Sequence, residues 1–338
     1  MFEELIFRIM VSIFIPTYDG EKYIAKTLDS VIAQTYRDFE IVCVDDQSTD
    51  STFKILKSFA EKDSRIRIFQ KQNEGDVPHS WQYAFPLLRG EFTLYMSQDD
   101  MLSPEALEKM IIRQKETNAD AVLPVVAYYE ADKSINECHC YRGVDGNISR
   151  ILTGKEAFGL MLDYTISGFA LWNTELIKRV GIRTEAYNSD EVAQREWIAN
   201  CRIVAFSDAL FYYRRDNSQA ITRTFTIRNL YRSISEARLI ALAVQYQLDT
   251  EIILNHRNEY FRNLWWNASY MIQHNKEIPA KERARLKATF SEAYHILHQE
   301  VTLQKWYYKM SVISEPLFWI TQYIKLYIAR FRSDRKTN

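Results

Sequence analysis

A chain of 338 residues, 47% of them hydrophobic, has enough apolar side chains for one large core or two domains, which argues against a disordered protein. Its 43 Lys and Arg against 44 Asp and Glu leave a formal charge of −1, so no global field favours nucleic acid and any basic function must be local. Four cysteines in a chain of this length build no disulfide framework and point to a reducing compartment.

The N-terminal MFEELIFRIM has neither the basic start nor the apolar run of a secretory signal, and Met10 stands directly before the first strand. Residues 1–9 therefore read as an upstream extension. "VSIFI" (11–15) is a continuous apolar run, the mark of a strand buried on both faces, and Ile24, Leu28, Val31 and Ile32 are spaced for a helix after it. "FEIVCV" (39–44) repeats the pattern and precedes a helix carrying Ile55, Leu56 and Phe59. "RIRIF" (65–69) is a short third strand, nearer an edge. "EFTLYM" (91–96) leads into a helix expected to begin with Ser103 as its cap and Pro104 in its first turn. "AVLPVVAYY" (121–129) is another strand. Strands and helices alternating on short connections predict an α/β fold, a mostly parallel sheet sandwiched by helices.

Cys138-His139-Cys140 suggests zinc only at first sight, because four ligands are needed and only Cys201 and scattered histidines remain. Beyond residue 150 the pattern predicts helices around 154–163, 174–180 and 190–200, then a strand "IVAFSDALFYYR" (203–214). From about 226 only helical periodicity remains. The reading is a first domain over 1–224, with its core in 10–215, and a helical region over 225–338, hinged in the Asp216–Thr224 loop.

No stretch of 18 apolar residues occurs, so no segment reads as a conventional transmembrane helix. The terminal "PLFWITQYIKLYIARFRSDRK" (316–336) has five basic residues from Lys325 onward (Lys325, Arg330, Arg332, Arg335, Lys336) against Asp334. Two readings fit it: a helix lying in an anionic headgroup layer, or a packed terminal helix with a frayed basic end.

Two Asp-Asp pairs, Asp45-Asp46 and Asp99-Asp100, each follow a predicted strand at its C-terminal end, the rim where open α/β sheets bind ligands. Either pair also reads as a polar turn before a capped helix. "PTYDG" (16–20), ending the first strand, adds a third element and shifts the balance toward a site. Adjacent carboxylates repel each other and resist burial, so the second pair calls for a positive charge.

The order "VSIFIPTYDGEKYIAKTLDSVIAQTYRDFEIVCVDDQSTDST", then "NEG", then "RGEFTLYMSQDD", resembles the family 2 glycosyltransferases with the GT-A fold, closely over residues 11–135 and more loosely to about 224. The resemblance implies that Pro16, Thr17 and Tyr18 form the wall against which the donor's base stacks. Asp46, supported by Asp45, would accept from the base N–H, favouring uracil or thymine over cytosine. Asp99 would contact the ribose or share the metal, and Asp100 would bind a Mn²⁺ or Mg²⁺ that bridges the diphosphate.

In "YNSDEVAQREW" (187–197) the resemblance places the acid pair that activates the acceptor, with Asp190 as base and Glu191 as the alternative. "YYRRDNSQAIT" (212–222) resembles a loop that closes over the donor, and of Arg214 and Arg215 the second is assigned to the diphosphate. Trp172 stacks on a sugar ring or fills the core.

Two departures stand out. Ser97 replaces an acid two residues before Asp99, leaving two carboxylates, and Ser80-Trp81 stands where many relatives carry an Arg. The implied activity is inverting, metal-dependent transfer of a sugar, from a nucleotide-diphosphate donor of UDP type, to a hydroxyl of a glycan or lipid-linked glycan. Its context would be bacterial surface polysaccharide assembly, in the cytoplasm at the inner face of the cell membrane. Two rivals remain: a non-catalytic carbohydrate-binding or assembly protein on the same fold, and a sugar nucleotidyltransferase. The latter is disfavoured because "PTYDGEKY" lacks a glycine-rich basic phosphate loop.

Overall fold

The computed structural model describes residues 9–130, 138–186, 188–217 and 225–334, with side chains as far as Ile328. Residues 1–8 of the expected upstream extension, most of the expected Asp216–Thr224 hinge and donor loop, and the last tail residues thus lie outside the described residues.

Strands β1 (Val11–Thr17), β2 (Phe39–Asp45), β3 (Ile66–Gln70) and β4 (Phe92–Tyr95) are joined by helices α1 (Ile24–Ile32), α2 (Thr52–Ala60) and α3 (Val77–Ala84). They run parallel in the order β3-β2-β1-β4, with Thr17 opposite Asp45 and Phe14 opposite Tyr95. Every residue of β2 is buried, which is why the strand reads as an apolar run rather than an alternation. The sheet continues through β9 (Leu171–Asn173), β6 (Ala121–Tyr129), β10 (Val204–Arg214) and β5 (Met101–Leu102). Here β9 is antiparallel to both β4 and β6, while β10 is parallel to β6. Two short strands, β7 (Cys140–Tyr141) and β8 (Ile151–Leu152), pair with β6 and β10. The core beneath helices α1 and α4 (Ala106–Thr117) is built from Ile13, Ile15, Leu28, Ile41, Leu94 and Leu107.

Ser103 and Pro104 do not begin α4. The helix starts at Ala106 with Glu105 in the cap position and no side-chain cap, and the Ser103 hydroxyl instead accepts from the Leu210 N–H at 3.4 Å. The reason is β5, whose pairing with β10 holds the chain extended as far as Leu102. Helices α5 (Gly154–Leu162), α6 (Thr174–Val180) and α7 (Ser189–Ala199) follow the sequence expectation closely. Trp172 is core: 1% exposed on β9, it meets Trp197 at a centroid distance of 5.6 Å. Trp81 is also enclosed, against Phe14, Tyr95 and Trp197. An aromatic plug therefore occupies the position where an arginine was absent.

The chain divides into two compact units, Met1–Thr184 with Ala193–Arg223, and Glu185–Val192 with Thr224–Asn338. In the second, a short 3₁₀ turn (Ile227–Tyr231) leads into α8 (Arg232–Gln245), α9 (Thr250–Gln273), α10 (Ala280–Leu297), α11 (Trp306–Ser311) and α12 (Glu315–Asp334). Its centre holds Phe261, Leu264, Trp265, Phe290 and Phe318. Among the described residues no helix is long and apolar enough to cross a membrane.

Candidate active site

The loops after β1, β2 and β4 leave the same edge of the sheet and are stitched together by side chains. Tyr18 N–H donates to Gln98 Oε1 at 2.9 Å, and Gln98 Nε2 returns a bond to the Tyr18 carbonyl at 2.8 Å. Gly20 permits this close approach, since a Cβ there would lie 2.2 Å from Gln98 Oε1. Asp19 accepts from the Thr49 N–H at 2.7 Å, and Asp46 N–H donates to the Thr17 carbonyl at 2.8 Å. Asp19 and Gln47 hold left-handed backbone, φ 45° and 61°, a conformation that these bonds must enforce on non-glycine residues.

The members of the first acidic pair differ. Asp45 is fully buried and accepts from Ser48 Oγ (2.5 Å), Ser48 N–H (3.1 Å), Gln70 Nε2 (2.8 Å) and Thr17 Oγ1 (3.3 Å). With both oxygens taken, it holds the turn. Asp46 pairs with Lys71 Nζ at 2.5 Å and accepts from the Glu74 and Gly75 N–H groups at 3.4 and 3.3 Å. Burial pulls the Lys71 ammonium down, but its bonds to Asp46 and Glu74 outweigh that, and its pKa is raised. Of the aromatic wall, Thr17 is buried while Tyr18 is 45% exposed and free to offer a ring face. Pro16 is half-buried in β1 beside Val44.

Asp100 is 1% exposed, accepting from the Ser97 N–H at 3.0 Å and from the Arg214 N–H at 3.1 Å. Burial, and then the charge of Asp99, pushes its carboxyl well above the usual carboxylate range. Asp99 Oδ2 accepts from Asn217 Nδ2 at 2.6 Å. A buried carboxylate destabilised in its charged form, beside a second carboxylate, fits a divalent cation. Among the described residues no group of three or more His, Cys, Asp and Glu could hold a metal unaided. Asp99 and Asp100 are the side chains that would hold such a cation.

Arg214 is the structural member of its pair: its Nε donates to the Asp99 carbonyl at 3.0 Å, its Nη1 meets Asp216 at 2.9 Å, and Tyr23 and Tyr129 flank it. Arg215 is exposed, with its guanidinium over the Tyr128 ring. Lys71, Gln98 and Asn217 carried no warning in the sequence. A lysine or glutamine at a strand end reads as solvated until its neighbours are known.

Asp190 and Glu191 lie in the first turn of α7 and fall in the second unit. Asn188 orders that turn: Ser235 Oγ on α8 donates to its Oδ1 at 2.8 Å, and its Nδ2 donates to Glu191 at 3.3 Å. Arg238, one turn further along α8, is ion-paired with Glu185. Glu236, also on α8, is buried, with Oε1 held by Asn263 (3.0 Å) and Arg232 (3.2 Å). Burial drives its pKa up to about 7, Arg232 and Asn263 oppose this, and the charges of Glu191 and Glu259 add to it.

A carboxyl raised from 4.5 to about 7 contributes stability in full below pH 4.5 and loses it as pH rises through 7. Glu236→Gln should therefore be the more stable form at alkaline pH, by roughly 2 kcal/mol after subtracting a weakened Arg232 contact. Thermal melts of both proteins across that range should show the gap closing in acid.

Comparison with known proteins gives this geometry a class. With S. aureus TarS 1–349 in complex with UDP-GlcNAc, the chain shares a TM-score of 0.67 at 17% identity, over 93% of this chain and 89% of that one. The fold is thus GT-A, a mostly parallel sheet flanked by helices and followed by a helical region. Residues 12–161 match the family model described as Glycosyl transferase family 2. Glycosyltransferase GlyG of Streptococcus pneumoniae serotype 4 is 26% identical over 255 residues, 72% of this chain and 84% of that protein. The Poly(ribitol-phosphate) beta-glucosyltransferase of Bacillus spizizenii is 35% identical over 116 residues, but the match spans only 18% of that longer relative. Residues 12–161 thus form a glycosyltransferase family 2 domain, and the chain that carries it is a glycosyltransferase with the GT-A fold.

Proposed function

We propose that the protein is an inverting, metal-dependent hexosyltransferase that takes a sugar from a UDP-type donor to a hydroxyl of a glycan or lipid-linked glycan. The observation that carries this reading is the buried Asp100 beside Asp99 on the rim that also presents Tyr18 and the Asp46–Lys71 pair. Asp46 supplies an acceptor and Lys71 a donor, the pair of groups a uracil edge needs for its N–H and its carbonyl. Tyr18 offers the ring face, with Pro16 and Thr17 shaping the wall, and Asp45 locks the turn. Asp99 serves the ribose or shares the cation with Asp100, while exposed Arg215 meets diphosphate charge.

When bound, Mn²⁺ or Mg²⁺ supplies charge stabilisation to the departing diphosphate. Asp190, with Glu191 as alternative, takes the proton of the acceptor hydroxyl as it attacks the anomeric carbon from the opposite face. We place the functional division near residues 224 and 225. TarS was described with UDP-GlcNAc, which supports a UDP-sugar, and the Bacillus relative is named a poly(ribitol-phosphate) beta-glucosyltransferase, which supports transfer of a hexose to a hydroxyl-bearing polymer. A lipid-linked acceptor would set the enzyme to work at the inner face of the cell membrane.

A thermal-shift panel of UDP-, GDP- and dTDP-sugars with and without Mn²⁺ tests this, because ligand affinity adds directly to stability. The expected result is the largest shift for a UDP-sugar with Mn²⁺, with Lys71→Met cutting it about tenfold in affinity. Equal shifts for GDP and UDP donors would overturn the base assignment.

A further inference from the structure

Helix α12 is built inside out. Its inward side is polar: Thr321 accepts from Trp265 Nε1 at 3.3 Å and meets Ser311 Oγ at 2.7 Å, while Gln322 pairs with Ser269. Phe318 is buried there together with Thr321 and Gln322, and half-buried Trp319 packs beside it against Phe290 of α10. The outward side is Ile320, Tyr323, Ile324, Tyr327 and Ile328, at i, i+3, i+4, i+7 and i+8, exposed by 48, 59, 41, 71 and 37%. A helix that serves only to pack would turn this stripe inward. Trp306, Met310 and Ile313, in the same unit, are exposed too. Single exposed apolar residues need no explanation, but a periodic stripe of five does.

We propose that this stripe docks into the boundary between headgroups and acyl chains of an anionic bilayer. Isoleucines supply the apolar contact, and tyrosines suit the headgroup level, where one end of the ring is wet and the other dry. Charge selects lipid over a second copy of this chain. From Lys325 onward the sequence carries five basic residues against one acidic, in a chain whose formal charge is −1, so two such tails repel while an anionic surface attracts. Lys325 contributes least, because it is spent on the rings of Trp266 (3.6 Å), Trp265 (4.5 Å) and Tyr307 (4.6 Å). The helix lies on the membrane and does not span it, since it lacks the apolar length to cross. A lipid-linked acceptor, as in the functional reading above, gives this contact its purpose, but the exposed stripe and the basic tail stand apart from that reading.

Flotation of the full chain on liposomes tests the idea. Wild type should float with vesicles containing phosphatidylglycerol, poorly with phosphatidylcholine alone, and less at high salt. Tyr323→Glu/Tyr327→Glu, both on exposed positions, should lose flotation about tenfold and keep its melting temperature. Arg330→Gln/Arg332→Gln should weaken binding to the anionic vesicles alone. Equal flotation of wild type and the glutamate variant, or none by either, overturns the proposal. So does a concentration-dependent dimer in lipid-free sedimentation that the glutamate variant abolishes, for then a second copy covers the stripe. The UDP and Mn²⁺ thermal shift, read on the same samples, reports the donor site separately, so failure of one reading is not mistaken for failure of the other.

Discussion

Asp100→Asn should remove turnover of a nucleotide sugar by about three orders of magnitude in kcat, equivalent to ~4 kcal/mol of lost barrier lowering, while the protein stays folded. Two terms act on the fold and nearly cancel. The substitution removes a buried carboxyl whose charged form is opposed by desolvation and by Asp99. It also turns an amide NH₂ toward either the Ser97 or the Arg214 N–H, each of which now donates to a carboxylate oxygen. One lost bond costs about 1–2 kcal/mol, which relief of the buried charge offsets to within about 1 kcal/mol. Melting temperature without ligand should therefore hardly move, whereas the added stability from UDP with Mn²⁺ should disappear. An asparagine variant that keeps metal-assisted UDP binding and hydrolyses donor at the wild-type rate would remove Asp100 from the site. A wild-type protein that binds donor without turnover would favour a carbohydrate-binding role on the same fold.

The centre of the parallel half of the sheet was legible because β1 and β2 are buried on both faces and spell themselves as the apolar runs "VSIFI" and "FEIVCV". The antiparallel strand β9 was not, since three residues, Leu171–Asn173, run straight into α6 and carry no period of their own. Ser103 misled for a similar reason: a good cap sequence lost to β5, whose pairing with β10 is non-local. At the site, the acidic pairs announced themselves by their place at strand ends. Their different fates did not, because Asp45 and Asp46 are adjacent and chemically identical. Ser48 and Gln70 claim one, Lys71 claims the other, and Gln70 and Lys71 arrive from β3 and the turn beyond it. The attachment of residues 185–192 to the helical unit was equally hidden. It depends on Asn188 meeting Ser235, residues whose local sequence offers only a helix start and a helix interior.

That attachment bears on the second large effect expected, in Asp190→Asn. An alcohol or water attacks the anomeric carbon efficiently only while its proton is being taken, and general-base assistance is worth about 10²–10⁴-fold. Donor hydrolysis, with water as acceptor, should fall by that factor in kcat with KM for the donor unchanged. The UDP and Mn²⁺ thermal shift should also persist, because neither ligand has been assigned to this turn. This pattern separates Asp190 from Asp100, whose loss takes binding and turnover together. Glu191→Gln is the control within the pair. Glu191 is held by Asn188 and faces the charge of Glu236, so a supporting role predicts a fall of about tenfold, less than at Asp190. If the glutamine variant suffers the larger loss, the base is Glu191; if both retain wild-type hydrolysis, proton removal belongs to a residue elsewhere in the chain.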